Sequence, residues 1–298
     1  MAPTGSHHLS FGRRRGASLA TVAALVSAAL LLGGGTASAG DSPTPASADG
    51  PVDRLVDVGG HSLYLSCRGA GSPTVIYLHG AIWSEQIVPH RNAIAIRDRL
   101  QDEVRVCLYD RRNTGLSDTV DAIQKPKDAM RDLEALLSAA GVEPPYVLLG
   151  ASAGGLLSYL YANEHPDEVV GMVLLDAMFP DELSLEKYWP REDWYQSFHA
   201  DDQCCTLERL SHWKVMQESQ RHIGREPEIP VTYLTAGQDP RDQTGIAEYD
   251  ARIMSVLAGY VSRFAPGEVI EVDAPHFMEP VVPDEIAAAV REVVDRAA

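Results

Sequence analysis

Short apolar runs alternate along the chain with longer segments of helical spacing. The continuous apolar runs predict buried strands at residues 74–78, 104–110, 146–149, 169–175, 231–235 and 269–272. Apolar residues that recur every three or four positions predict helices at residues 94–100, 127–140, 246–261 and 283–297. Two alternating runs around Gly59-Gly60 predict a β-hairpin. Because strands and helices alternate, the pattern predicts an α/β protein with a mostly parallel sheet and helices on both faces.

The strand at 146–149 runs directly into Gly150-Ala151-Ser152-Ala153-Gly154, and a helical pattern follows. A Gly-x-Ser-x-Gly turn between a strand and a helix is typical of a nucleophile elbow. The reversal strains the central residue, and the residues two positions before and after it must be small because larger side chains would collide. The pattern therefore predicts a nucleophile at Ser152.

A serine hydroxyl needs a base and an acid that orients the base. In open α/β sheets such groups lie at the carboxyl ends of strands. His276 follows the last predicted strand and is the predicted base. Asp239 is the predicted acid, because it keeps the chain order serine, acid, histidine and lies in a loop that can reach the imidazole. Asp176, which ends the preceding strand, is kept as the alternative acid, with a structural role favoured for it.

Two backbone N–H groups are expected to bind the oxyanion of the reaction. One belongs to Ala153, directly after the serine. The other is predicted at Ala81, in the loop after the strand at 74–78, where Gly80 permits a close approach of the backbone. His79 is predicted to fix this loop by hydrogen bonds rather than to act as a second base.

Taken together, these motifs resemble those of the α/β-hydrolase superfamily, and the resemblance covers residues 52–298. It rests on these matches: His79-Gly80, Asp110-x-Arg112-x-x-Gly115-x-Ser117, Gly150-x-Ser152-x-Gly154-Gly155, Gly237-x-Asp239, and His276 followed by Glu279-Pro280. It implies the α/β-hydrolase fold with a helical cap inserted at about residues 177–229. The serine at the elbow argues against the haloalkane-dehalogenase and epoxide-hydrolase branches, which use aspartate there.

One departure from the family pattern is Asn113, which stands where the family usually has glycine. Asparagine tolerates the left-handed conformation better than most residues, so the turn is expected to survive.

The resemblance also implies that the strand with Cys67 neighbours the strand with Cys107. A Cys67–Cys107 disulfide is therefore expected, with two buried thiols as the alternative. Cys204 and Cys205 are adjacent, and a vicinal disulfide, an intermolecular bridge and free thiols all stay open for them. No cysteine or histidine cluster has zinc-ligand spacing, so neither a metal site nor a cofactor is expected.

The cap segment is rich in aromatic residues, and it carries three of the four tryptophans. Trp189, Trp194 and Trp213 lie there, while Trp83 lies in the predicted oxyanion loop, three residues after Gly80. One interpretation is an aromatic-walled substrate pocket. The alternative is that these rings pack the cap against the main domain.

The first 39 residues have the pattern of a signal peptide. Three arginines at 13–15 precede an apolar run, and Ala37-Ser38-Ala39 supplies a small-residue cleavage site. The alternative, an uncleaved membrane anchor, is disfavoured because the run is short and alanine-rich. We therefore expect a secreted protein without a stable membrane anchor, in which residues 40–51 form a flexible leader before the domain at 52–298.

The net charge is −17, and cleavage would remove three arginines and no acidic residue. So acidic a surface repels phosphate backbones, which argues against nucleic-acid binding.

The function hypothesis is an exported serine esterase that cleaves small or medium apolar esters through an acyl-enzyme. Its activity is expected to fall below about pH 6–7, where a histidine base becomes protonated. One alternative is an aminopeptidase of the prolyl-iminopeptidase type, which would hold a substrate ammonium with acidic cap residues such as Glu182, Glu186, Glu192 or Asp193. A second alternative is a non-catalytic binding protein on the same fold.

Overall fold

A computed structural model describes residues 50–82, 84–191 and 207–297. Its centre is an eight-stranded sheet with the strand order β1-β2-β4-β3-β5-β6-β7-β8. The strands are Val52–Asp57 (β1), Ser62–Arg68 (β2), Thr74–Leu78 (β3), Val106–Tyr109 (β4), Tyr146–Ala151 (β5), Val169–Leu175 (β6), Val231–Ala236 (β7) and Gly267–Val272 (β8). The predicted α/β architecture is confirmed.

All neighbouring strands from β4 to β8 run parallel, and β1 and β2 form the predicted hairpin at one edge. Because parallel strands need crossover connections, helices separate them in the sequence. The helices are Ile94–Leu100 (α1), Pro126–Ala140 (α2), Ala153–Glu164 (α3), His212–Ser219 (α4), Ala247–Val261 (α5) and Pro283–Ala297 (α6).

Alternate residues of β5 face opposite sides of the sheet, as the strand period of two requires. Leu148 packs in the core with α2, α3 and α5, whereas Val147 and Leu149 pack in the core with α1 and α6. The sheet is therefore covered on both faces, and β5 delivers its last residue to the middle of the carboxyl edge.

The predicted disulfide between Cys67 and Cys107 is present. The two residues lie directly opposite each other in the antiparallel pair of β2 and β4. The turn after β4 also survives its departure from the family pattern, since Asn113 adopts a φ of 67°. The asparagine side chain is used there as well, because its Oδ1 accepts a hydrogen bond from the Val120 N–H.

The segment between β6 and β7 contains a 3-10 helix at Pro180–Tyr188 and then α4 within its described part. Several sequence predictions lie outside the described residues: the signal peptide, most of the leader, Trp83, Trp194, Cys204 and Cys205. Across the described ranges, no helix is both long enough and apolar enough to span a bilayer.

Candidate active site

Ser152 lies between the end of β5 and the first residue of α3 in a strained backbone conformation, with φ 48° and ψ −121°. Such angles are unfavourable for a residue with a Cβ atom, so the surroundings must hold them. The Ser152 N–H donates to the Leu175 carbonyl at 3.0 Å. The Ser152 carbonyl accepts from the N–H groups of Gly155 and Met178 at 3.0 and 2.9 Å.

The glycines of the elbow are required by space. A Cβ atom on Gly154 would overlap the carbonyl oxygen of Leu78, and one on Gly150 would overlap Ser158 and the backbone of Gly155. The steric condition predicted from the Gly-x-Ser-x-Gly pattern is thus present in the structure.

The structure brings the predicted nucleophile and the predicted base together. His276 Nε2 lies 3.1 Å from Ser152 Oγ, and His276 Nδ1 lies 2.6 Å from Asp176 Oδ2. Since a carboxylate only accepts, Nδ1 carries the proton and Nε2 is left to accept the hydrogen bond of the serine hydroxyl. This is the protonation pattern that a general base requires.

The prediction that Asp239 orients the imidazole is wrong. Asp239 Oδ2 instead accepts a hydrogen bond from the backbone N–H of His276 at 2.9 Å. Asp176, the alternative in the sequence analysis, contacts the imidazole because it directly follows β6, the strand beside the one that leads to Ser152. Asp239 follows β7, one strand further from the nucleophile.

Arg241 holds the Asp176 carboxylate from the side opposite the imidazole. Its Nε donates to Asp176 Oδ1 at 2.9 Å, and its Nη2 donates to the carbonyls of Asp176 and Ala177 at 2.6 and 2.7 Å. Its Nη1 also pairs with buried Glu182. Burial opposes ionisation of Asp176, but the hydrogen bond from His276 and the charge of Arg241 outweigh it and lower the pKa of this carboxyl.

Sequence reasoning did not find Arg241. The signal available for it is its place two residues after Asp239, in the loop that follows β7.

The predicted oxyanion donors border the serine. Ala153 is the first residue of α3, so its N–H has no acceptor within the helix. The N–H of Ala81 donates to no acceptor among the described residues. Gly80 lies so close to the nucleophile that an added Cβ would be 3.2 Å from the serine Cβ, so the loop after β3 borders Ser152.

His79 fixes the oxyanion loop, as predicted. Its Nδ1 donates to the Gly80 carbonyl at 2.7 Å, and its Nε2 accepts the Arg111 N–H at 3.1 Å. Burial and the neighbouring positive charge of Arg111 lower the pKa of His79 to about 3. The ring therefore stays neutral and does not compete with His276 for protons near neutral pH.

A cavity of about 240 Å³ opens beside Ser152. Its described lining is mostly apolar and consists of Gly80, Ala81, Ile82, Ile87, Asn92, Ala151, Ser152, His276, Phe277, Glu279 and Pro280. Glu279 is buried, and its Oε1 accepts a hydrogen bond from the Tyr77 hydroxyl at 2.7 Å. The described lining thus includes one carboxyl group, together with the polar side chains of Asn92, Ser152 and His276.

Neither Trp189 nor Trp213 is among the described residues that line this cavity, and Trp83 and Trp194 lie outside the described ranges. Trp189 instead packs edge-to-face against Tyr249, with ring centroids 5.3 Å apart. For Trp189 the packing interpretation therefore holds. As for metals, no cluster of potential ligands occurs within the described ranges.

Comparison with known proteins agrees with this architecture. A family model described as "alpha/beta hydrolase fold" matches residues 73–189, which include β3, the elbow and Asp176.

Curated relatives match parts of the chain. An uncharacterized protein of Bacillus subtilis, YqjL, is 25% identical over 205 residues, which are 65% of this chain and 77% of the relative. A proline iminopeptidase of Arabidopsis thaliana is 30% identical over 120 residues, which are 38% of this chain and 29% of that protein.

Solved structures match over most of the chain. Alpha/beta hydrolase domain-containing protein 10 from mouse superimposes with a TM-score of 0.59 at 15% identity, covering 82% of this chain and 99% of that one. The enol-lactonase from Burkholderia xenovorans LB400 has a TM-score of 0.56 at 14% identity, covering 81% of this chain and 100% of that one. At such identities the likeness concerns the fold.

Proposed function

Because the chain belongs to the α/β-hydrolase superfamily, we propose that it is a serine hydrolase that cleaves a carboxylic ester of small or medium, largely apolar substrates through an acyl-enzyme. The observation that carries the proposal is the relay Ser152–His276–Asp176, with 3.1 Å between Oγ and Nε2 and 2.6 Å between Nδ1 and the carboxylate. No cofactor takes part in the proposed reaction.

In this mechanism Ser152 Oγ attacks the ester carbonyl while His276 Nε2 takes the hydroxyl proton. Asp176 stabilises the imidazolium that forms. The N–H groups of Ala81 and Ala153 bind the oxyanion of the tetrahedral intermediate. His276 then gives its proton to the leaving alcohol, and a water molecule repeats the sequence to release the acid.

The cavity supports the substrate class. Its wall beside Ser152 is built from Ala81, Ile82, Ile87 and Phe277, which favour an apolar acyl group over a charged one. A volume of about 240 Å³ suits a small or medium group.

The second candidate is an aminopeptidase that uses the same relay, and the similarity to a proline iminopeptidase favours it. Of the acidic cap residues considered for a substrate ammonium, Glu182 is buried and paired with Arg241, and Glu186 is exposed and does not line the cavity. Glu192 and Asp193 lie outside the described residues. Glu279 is the carboxyl group that the described part of the cavity offers for this role.

We also propose that the protein is exported. The Cys67–Cys107 disulfide supports this, since such bonds persist in oxidising compartments.

The test compares a panel of p-nitrophenyl esters with prolyl p-nitroanilide, using the wild type and Ser152→Ala. We expect ester turnover to exceed anilide turnover and the variant to lose about 10³-fold or more of kcat/KM. Preference for the anilide would select the aminopeptidase. Full activity in Ser152→Ala would overturn the serine mechanism, and a wild type that a fluorophosphonate fails to label at Ser152 would indicate a non-catalytic protein.

A further inference from the structure

A buried ion pair lies behind the loop that carries the proposed oxyanion donor. Arg111 follows the end of β4, and Glu208 lies 97 residues later, just before α4. Arg111 Nε and Nη2 donate to the two carboxylate oxygens of Glu208 at 2.8 and 2.9 Å. The side chains are 5% and 1% exposed, so the pair is sheltered from solvent.

Both partners of this pair also bind the oxyanion loop. Arg111 donates to the carbonyls of His79 and Gly80 at 2.6 and 2.8 Å. Glu208 Oε1 accepts the N–H of Ile82 at 3.0 Å. The Ile82 carbonyl in turn accepts the N–H of Leu207 at 3.2 Å.

These contacts select which N–H group of the loop can reach a substrate. Arg111 binds the carbonyls of His79 and Gly80, and Glu208 accepts the N–H of Ile82. The N–H of Ala81, between them, has no acceptor among the described residues, and Ala81 lines the cavity beside Ser152. If the loop shifted by one residue, Glu208 could accept the N–H of Ala81, and this donor would then be unavailable to the substrate.

The pair is suited to this task because it stays charged. Burial disfavours the charged form of both partners, but the charge of Arg111 lowers the pKa of Glu208, and Glu208 raises the pKa of Arg111. The backbone of Glu208 is itself anchored, since its carbonyl accepts hydrogen bonds from the side-chain amides of Asn113 and Gln124.

We propose that Arg111 and Glu208 are positioning residues for the oxyanion hole. They hold the loop so that the Ala81 N–H meets the oxyanion. Because Glu208 belongs to the segment between β6 and β7, this segment also contributes to the oxyanion hole. This proposal rests on the serine-hydrolase function proposed above.

The main test is Glu208→Gln, which keeps the size and an acceptor oxygen but removes the charge that pairs with Arg111. We expect kcat on a p-nitrophenyl ester to fall about 10- to 100-fold with KM changed less than about threefold, because a misplaced donor acts on the transition state. The affinity for a boronic acid, whose adduct with Ser152 is tetrahedral, should fall by a similar factor.

Asp132→Asn is the matched control. It removes the carboxylate that pairs with Arg112, the next residue along the chain, in another largely buried ion pair. This carboxylate also contacts His61, and no contact joins it to the described residues of the oxyanion loop. We expect Asp132→Asn to lower the melting temperature while kcat and boronic-acid affinity stay within about twofold of wild type.

Arg111→Lys is the second variant, in case Glu208→Gln does not fold. It keeps the charge but cannot reproduce the fork of contacts to the loop and to Glu208, so kcat should again fall with KM nearly unchanged.

Wild-type kcat in Glu208→Gln, or in Arg111→Lys if the first variant does not fold, would overturn the proposal. The proposal would also be overturned if Asp132→Asn lost kcat as well, and if the kcat loss of both variants followed their loss of melting temperature. The effect of Glu208→Gln would then reflect stability alone. Either result in an enzyme that still depends on Ser152 would leave the proposed function intact, so the two failures are distinguishable.

Discussion

Two aspartates contact His276, and they contact different parts of it. Asp176 binds the imidazole Nδ1 at 2.6 Å, whereas Asp239 binds the backbone N–H at 2.9 Å. Asp176 is buried and is held by Arg241, while Asp239 is exposed in the loop after β7. One carboxylate therefore acts on the protonation of the ring and the other on the position of the chain that carries it.

The difference shows that chain order is a weak guide to the acid of a triad. Both residues precede His276 and both follow a parallel strand, so both satisfy the order serine, acid, histidine. What separates them is the distance of their strands from β5 and the presence of Arg241, which fixes one carboxylate toward the ring.

The comparison is tested most strongly by Asp176→Asn. The amide keeps the shape but allows the imidazole to adopt the wrong tautomer, so we expect kcat/KM for an ester to fall by about 10³- to 10⁴-fold. Circular dichroism should show an unchanged fold. A loss below tenfold would mean that Asp176 does not orient the base.

The pH dependence of stability tests the charge of Asp176. Its pKa lies below that of an unfolded chain, so its contribution to the unfolding free energy is present above about pH 4 and is lost as the pH falls through the folded value. Because asparagine does not titrate, any stability advantage of the wild type over Asp176→Asn should shrink as the pH falls from 6 to 3.

Urea denaturation of both proteins at several pH values measures this difference. An advantage of the wild type that grows on acidification would contradict the lowered pKa of Asp176.

The smallest effect is expected for Asp239→Asn. The amide oxygen can still accept the His276 N–H, so kcat/KM should stay within about fivefold of wild type. Asp239→Ala, which removes the acceptor, should cost about tenfold or less, corresponding to one exposed hydrogen bond of about 1 kcal/mol. If Asp239→Asn lost as much activity as Asp176→Asn in the same assay, the assignment of the two acids would be reversed.

Most of the fold was predictable because its signals are local. The helix at 94–100 and the strand at 169–175 have the predicted bounds, since apolar periodicity and turn residues lie within each segment. The elbow was predictable for the same reason, as the small residues that it needs lie within five positions.

The rest of the site depends on contacts between distant segments. Arg111 meets Glu208, and Arg241 meets Asp176, across 97 and 65 residues, and neither pairing leaves a spacing pattern in the sequence. Trp189 illustrates the same limit, because a tryptophan in the cap segment suits a pocket wall and a packing contact equally well. Its contact with Tyr249, 60 residues away in sequence, shows that it packs.

The Cys67–Cys107 bond has a consequence for the response of the protein to proteolysis. It closes a covalent ring whose ends are 40 residues apart in sequence, and this ring contains β3, the oxyanion loop and α1. A peptide bond cut at the exposed turn near Glu85 and Gln86 would open the backbone but not divide the molecule. The strand that leads to His79 would stay attached through sulfur, so a nicked molecule keeps every part of its active site on one covalent body.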